Sequence, residues 1–436
     1  MPAAGKPIVE RLDDLAGQWT DFADQPEARV LCWLCEPDEL AMVDAFVAIE
    51  DDDRVAQTED LFVPLQAPFV PGRYGEGLLR EFIEKAARLH AGLEDPTAKA
   101  WQPPPVAPRA QDPLPFLQAC QSFVEHYQLP GVLALYLTPA EVSDVGAFRA
   151  WLDLVARNAL PKLPKLRFVL RDDRKSPALA PLAQALPQLV VAIPADLDMP
   201  AARLEISENA GNLDKPGGQY RHQFVQMTNA LGMPDLGAAD QHAKAAVDIS
   251  AAQGWHALAI PIHLAMGAAL AGAGKTEEAN RRYVNAEASA VAGEQAGDPV
   301  CAKLRVQARM CRGGLMIHAG AWQMAAALYA ETLPLAKAVG DPGMVIDCHR
   351  LASFCLEQAK QIQPAWQQGV DGLAYARTVE KKALATTTLA YLGSGLERLC
   401  KHAQLSGSWK RIEQELVSLL GQDWRPSAAA PKGAAS

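Results

Sequence analysis

Residues 254–279 read GWHALAIPIHLAMGAALAGAGKTEEA, and this stretch decides what the second half of the chain is. From His256 to Ala273 the apolar residues fall at helical spacing; Gly274-Lys275-Thr276-Glu277-Glu278-Ala279 makes a turn, and a second helix follows to about Ala292. Gly267, Ala268, Ala271 and Ala279 stand where two antiparallel helices must approach closely. Gly272-Ala273-Gly274-Lys275-Thr276 also looks like the end of a phosphate-binding loop. That loop needs a glycine at 269, where Ala269 stands, and a strand before it, where the pattern is helical. The stretch therefore reads as the turn of a helix pair.

Similar pairs flank it. Gly254, Gly297 and Gly340 recur 43 residues apart, the last two inside identical Gly-Asp-Pro triplets (297–299 and 340–342), a helix stop followed by a restart. Trp322, Trp366 and Trp409 recur at 44 and 43 residues, which suggests the same period. Helix pairs are predicted at 218–231 with 235–253, 299–319 with 321–338, 342–359 with 363–379, and 383–402 with 407–420. One pair cannot bury its apolar face alone; stacking does so, which predicts an all-α repeat solenoid over 216–424. The turn Ala-Gly-Lys-Thr-Glu-Glu-Ala and the alternation of small and large residues resemble tetratricopeptide units of the longer, roughly 40-residue kind.

The first half alternates differently. Helices are predicted at 7–23, 37–50, 76–93, 114–127, 144–159 and 177–186. Between them lie β-type runs at Arg29–Cys35, Leu61–Leu65, Val132–Leu137, Leu166–Leu170 and Leu189–Ile193. Strands alternating with helices predict an α/β domain with a mostly parallel sheet covered on both faces. The domain is read as 1–101, a Pro-rich linker over 102–113, and a continuation of the sheet over 114–215. Residues 425–436 read as a disordered tail.

Candidate chemistry is sparse. The strand Leu166–Leu170 runs into Arg171-Asp172-Asp173. Such carboxylates hold magnesium in nucleotide-hydrolysing domains, and elsewhere cap a helix. The pattern resembles the ATPase core of signalling proteins that join such a domain to helical repeats, and implies a regulatory, nucleotide-switch alternative. No Gly-rich loop with Lys-Ser or Lys-Thr follows any strand, and the first strand enters Glu36-Pro37-Asp38-Glu39, which would repel phosphates. Cys32 and Cys35 have redox-pair spacing, but Glu36, Asp38 and Glu39 would raise a thiol pKa, and no second ligand pair completes a zinc site. Structural cysteines are the plainer reading, with redox and metal roles as alternatives. Asp51-Asp52-Asp53 reads as a solvated helix end. No His-Glu-x-x-His and no Gly-x-Ser-x-Gly occurs, so no reaction, cofactor or metal is expected.

Charge separates the halves. Residues 1–216 carry 20 Lys+Arg against 33 Asp+Glu, and residues 217–436 carry 21 against 18. The acidic half argues against nucleic acid as a partner. No apolar run is long enough to cross a bilayer, the first residues lack a signal pattern, and the eight cysteines are scattered; together these predict a reduced, cytoplasmic protein. In the repeat half, Arg305, Arg309 and Arg312 share one predicted first-helix face, with His263, His349 and Arg350 on the neighbouring first helices. In one column they would receive an acidic peptide or a chain-terminal carboxylate; alternatively the arginines keep the helix exterior wet.

Trp19-Thr20-Asp21-Phe22, Arg29-Val30-Leu31-Cys32-Trp33-Leu34, Met42-Val43-Asp44-Ala45-Phe46 and Asp60-Leu61-Phe62, followed by alanine-rich repeats, resemble bacterial proteins encoded beside spike and effector genes of type VI secretion systems. That resemblance implies a cytoplasmic accessory protein that loads or chaperones an effector. The expectation is a non-catalytic, protein-binding scaffold or adaptor.

Overall fold

The computed structural model describes residues 8–51, 56–92, 99–106, 112–209, 212–233, 236–401 and 406–426, which divide into two compact units, Met1–Ile206 and Ser207–Ser436. The expected tail, apart from Arg425 and Pro426, lies outside the described residues, as do Asp52, Asp53 and part of the Pro-rich linker.

In the first unit the order is α1 (Ile8–Ala23), β1 (Val30–Cys35), α2 (Leu40–Glu50), β2 (Leu61–Leu65), α3 (Tyr74–Gly92), α4 (Leu114–Tyr127), β3 (Leu133–Leu137), α5 (Val145–Asn158), β4 (Leu166–Asp173), α6 (Ala180–Ala185) and β5 (Val190–Pro194), and α7 (Met199–Asn209) runs across the boundary at Ile206. The sheet is entirely parallel, in the order β2-β3-β4-β1-β5. Strands such as Val30-Leu31-Cys32-Trp33 are apolar at every position because both faces are covered. Val30, Cys32, Leu166, Phe168 and Leu170 pack with α3, α4, α5 and α6, while Leu31, Trp33 and Val169 pack with α1 and α2. The chain leaves β1 through α2 on one face and leaves β4 through α6 on the other, although β1 and β4 are neighbours. Their C-terminal ends therefore form the topological switch point, the crevice where open α/β sheets take ligands.

The second unit is α8 (Pro216–Ala230), α9 (Gly237–Ala252), α10 (His256–Gly272), α11 (Thr276–Gln295), α12 (Val300–His318), α13 (Trp322–Val339), α14 (Pro342–Gln358), α15 (Ile362–Ala376), α16 (Lys381–Leu384), α17 (Leu389–Leu399) and α18 (Trp409–Leu420). These are stacked antiparallel pairs, as expected of a tetratricopeptide-like solenoid. Each second helix packs on the next first helix, and α10, α12, α14 and α17 also touch in succession.

The turns share one mechanism. Gly254, Gly274, Gly297, Gly320 and Gly340 take positive φ, and each amide donates to the carbonyl three residues back. At 254, 274, 297 and 320 the next amide reaches five residues back as well, a Schellman ending. Lys360 does the same with φ +62°, the one non-glycine in this series.

Helix contacts set the true register. A Cβ on Gly267 would lie 2.5 Å from the Tyr283 ring, and one on Gly313 would lie 2.5 Å from the Tyr329 ring. Counting from these close approaches, Met227, Gly267, Gly313, Ser353 and Gly393 are equivalent, with intervals of 40, 46, 40 and 40 residues. The tryptophan spacing is a coincidence: Trp322 and Trp409 open α13 and α18, whereas Trp366 is buried a turn inside α15. Two further expectations are corrected. The helix predicted over 383–402 is broken between α16 and α17, and Asp172 and Asp173 end β4 instead of opening a helix. Helix α7 has no counterpart among the predicted elements; its short apolar positions give little amphipathic pattern.

Candidate binding surfaces

The six basic residues picked from the sequence occupy two kinds of place. His263, Arg309 and His349 stand four residues before Gly267, Gly313 and Ser353, so they do form a column at equivalent positions. That position points into the helix pair. His263 is buried, and its Nδ1 lies 3.5 Å from Nη1 of Arg282 on α11. Burial first, and then the Arg282 charge, push its pKa down to about 4. His349 is buried against α15, with Nδ1 3.1 Å from Gln368 Oε1, and burial likewise lowers its pKa.

Arg309 bridges second helices on both sides. It donates to Glu287 on α11 (2.9 Å), and to Glu331 (3.0 Å) and the Thr332 hydroxyl (3.0 Å) on α13. Arg312 lies 3.6 Å from the other Glu287 oxygen, Arg305 pairs with Glu294 at 3.2 Å, and Arg350 pairs with Asp347 at 2.8 Å. The stripe at 305–312 is thus turned toward the second helices of the preceding pair and of its own pair, and is matched there by carboxylates. It ties repeats together.

The register exposes a different column. Two residues before each equivalent position stand Val225, Ala265, Cys311, Leu351 and Tyr391, apolar on five successive first helices. All are half-buried or exposed, with Cys311 and Tyr391 the most open. The tryptophan period hides this column, and the close approaches at Gly267 and Gly313 reveal it.

In the α/β unit, the switch point is filled by the chain's own groups. Glu39, buried at the start of α2, accepts from the amides of Glu36 (2.7 Å) and Leu197 (2.7 Å). A carboxylate thus occupies the amide cluster that a phosphate would need. Lys175 pairs with Glu36 (2.9 Å), Arg203 with Asp38 (3.0 Å), Arg171 with Asp44 (2.6 Å), and Arg174 with Asp196. Tyr136 donates to the other Asp44 oxygen at 2.7 Å. Asp172 accepts from the Leu179 amide and Asp173 from those of Lys175 and Ser176, so these carboxylates organise the loop after β4. Beside them, between the ends of β3 and β4, is a cleft of about 260 Å³ walled mostly by Leu137, Val142, Phe148, Leu170 and Leu179.

Cys32 and Cys35 are both buried and unbonded to each other. Burial, then Asp172, raises the Cys32 thiol; burial, then Glu39, pushes Cys35 up to about 12. Neither presents a thiolate near neutral pH. Gly272-Ala273-Gly274-Lys275-Thr276 is the turn between α10 and α11, with no strand before it. Among the described residues no cluster of three potential metal ligands occurs, and no helix is long and apolar enough to cross a membrane.

No protein-family model and no curated protein matches this sequence. Among solved structures the chain is similar to BtubC (BKLC) from P. vanneervenii, at 12% identity and a TM-score of 0.39, over 53% of this chain and 94% of that one. It is similar to the apo form of RapI at 11% identity and a TM-score of 0.35, over 50% and 62%. A third is the Signal Transduction ATPase with Numerous Domains from Pyrococcus horikoshii, which carries a tetratricopeptide repeat sensor; identity is 12% and the TM-score 0.31, over 80% of this chain and 49% of that one.

Proposed function

We propose that this chain is a non-catalytic scaffold that holds a protein segment along the first helices of its repeats. The observation that carries the reading is the apolar column Val225, Ala265, Cys311, Leu351 and Tyr391, repeated on successive first helices and half-buried or exposed at each of them. Stacked repeats turn one such position per unit into a continuous binding strip. Because Arg305, Arg309 and Arg312 are matched by Glu294, Glu287 and Glu331, the contact expected of the partner shifts from acidic to apolar.

The filled switch point supports the non-catalytic part of the proposal, since a nucleotide would have to displace Glu39 and several ion pairs. Calorimetric titration with magnesium and ATP is expected to give no saturable heat. The finer reading is an accessory or chaperone of a type VI secretion effector, supported by the resemblance of 19–22, 29–34, 42–46 and 60–62. The test is capture of the full chain from its native host. A product of a neighbouring spike or effector gene should be retained by the wild type and lost with Cys311→Glu and Tyr391→Glu, both of which keep wild-type helicity. Retention by both folded variants would sink the strip, and a partner from outside such a cluster would sink the secretion role alone.

A further inference from the structure

Two arginines of the α/β unit are buried side by side, and neither forms an ion pair among the described residues. Arg29 immediately precedes β1, and Arg167 is the second residue of β4. Val30 and Phe168 are register partners, and the Phe168 amide donates to the Arg29 carbonyl at 2.8 Å, so the two side chains leave adjacent strands at one level. Strand alternation puts Arg167 on the face of Val169, the side covered by α1 and α2, and Arg29 stands beside it just before β1 begins. Arg29 and Arg167 are 6% and 4% exposed.

What holds them is carbonyl oxygen. Arg29 donates through Nε to Leu160 (3.1 Å) and through Nη1 to Pro26 (2.7 Å) and Ala28 (2.8 Å). Arg167 donates through Nη1 to Pro164 (2.7 Å) and Leu166 (3.2 Å), while its Nε is buried with no partner. Neither Nη2 has a partner among the described residues, and neither is among the wholly buried unpartnered atoms. Asp60, the acid whose charge reaches Arg167, is already held by Trp19 Nε1 and the Val132 amide, each at 2.7 Å. Burial, then Arg29, pulls the Arg167 pKa down to about 10.

Like charges side by side on neighbouring strands repel, and burial away from a carboxylate adds to the cost. Tethering loop carbonyls needs a donor at each position and does not need two permanent cations. We propose that Arg29 and Arg167 together receive one oxyanion, a phosphate or a carboxylate, on their unpartnered Nη2 groups at the N-terminal edge of the sheet. A guanidinium pair offers parallel N–H donors that match the oxygens of such a group. The site is at the opposite strand ends from the filled switch point and does not depend on the scaffold reading.

The full chain is unfolded thermally while inorganic phosphate replaces sodium chloride at constant ionic strength, with acetate in a parallel series. The expected result is a saturable rise in midpoint. In Arg167→Gln half-saturation should need at least tenfold more anion, whereas Arg73→Gln, an exposed control, should match the wild type. A rise with acetate as large as with phosphate assigns the site to carboxylates, and a rise with phosphate alone assigns it to phosphate groups. Should Arg167→Gln not fold, Arg29→Lys keeps the charge, loses the fork and is expected to weaken the response in the same way. A wild-type midpoint that follows ionic strength alone, or a response unchanged in the folded variant, overturns the proposal.

Discussion

Replacing Arg309 with alanine tests whether the arginine stripe ties repeats together or waits for a partner. The Arg309 and Glu287 side chains are 12% and 18% exposed, so their 2.9 Å pair is shielded from water and worth about 1.5–3 kcal/mol as a charge-assisted bond. The bond to Glu331 adds almost nothing, because that carboxylate is 69% exposed. The Thr332 hydroxyl contributes roughly 0.5–1 kcal/mol as an ordinary hydrogen bond. Arg312, 3.6 Å from Glu287, recovers part of the lost pairing when Arg309 is removed. The net loss is about 2–3 kcal/mol, which for a unit of this size lowers the unfolding midpoint by about 5–10 °C. Differential scanning calorimetry gives the midpoint, and denaturant titration of Arg309→Ala, Glu287→Ala and the double variant gives the coupling, expected above about 1 kcal/mol. Partner affinity per folded molecule should not change. A loss under about 0.5 kcal/mol with no coupling, accompanied by a large drop in partner affinity, would refute the stitching role.

Three further outcomes follow from the repeat geometry. His263 is buried neutral with its pKa pulled from 6.5 to about 4, so between those values the unfolded chain binds a proton that the folded one refuses. Stability therefore falls as pH drops from 6.5 toward 4, by on the order of 3 kcal/mol, and His263→Gln should flatten that slope in denaturant titrations across the window. Lys360→Gly removes a left-handed residue from the end of α14 and should stabilise by roughly 0.5–1 kcal/mol in the same assay; destabilisation would mean that the Lys360 side chain matters more than its backbone. Gly313→Ala pushes a methyl into the buried Tyr329 ring and should cost about 1–3 kcal/mol, whereas Gly314→Ala, with open space around its Cβ, should be neutral or stabilising.

Much of the architecture was legible because it rests on local chemistry. Five apolar runs bounded by turn residues became five parallel strands, and the glycine turns marked most helix ends of the repeat half where they occur. What escaped depends on contacts far apart in sequence. The tryptophan interval looked like a repeat, yet only the close approach of Gly267 to Tyr283 and of Gly313 to Tyr329 shows which residues are equivalent. The arginine stripe was correctly placed on one helix face, but which neighbour that face meets depends on Glu287 and Glu331, 22 residues before and after Arg309. Glu36 to Glu39 read as a repulsive cap; the buried Glu39 carboxylate in fact bonds the Leu197 amide across 158 residues. The Arg29–Arg167 pair was invisible for the same reason, since only strand register brings the two together.

Hydrogen exchange on the complex captured from the native host tests the central claim most directly. The account predicts that binding slows exchange on α10, α12, α14 and α17, centred on Ala265, Cys311, Leu351 and Tyr391. Slowing confined to the ends of β1 and β4, with the first helices of the repeats unchanged, would contradict it.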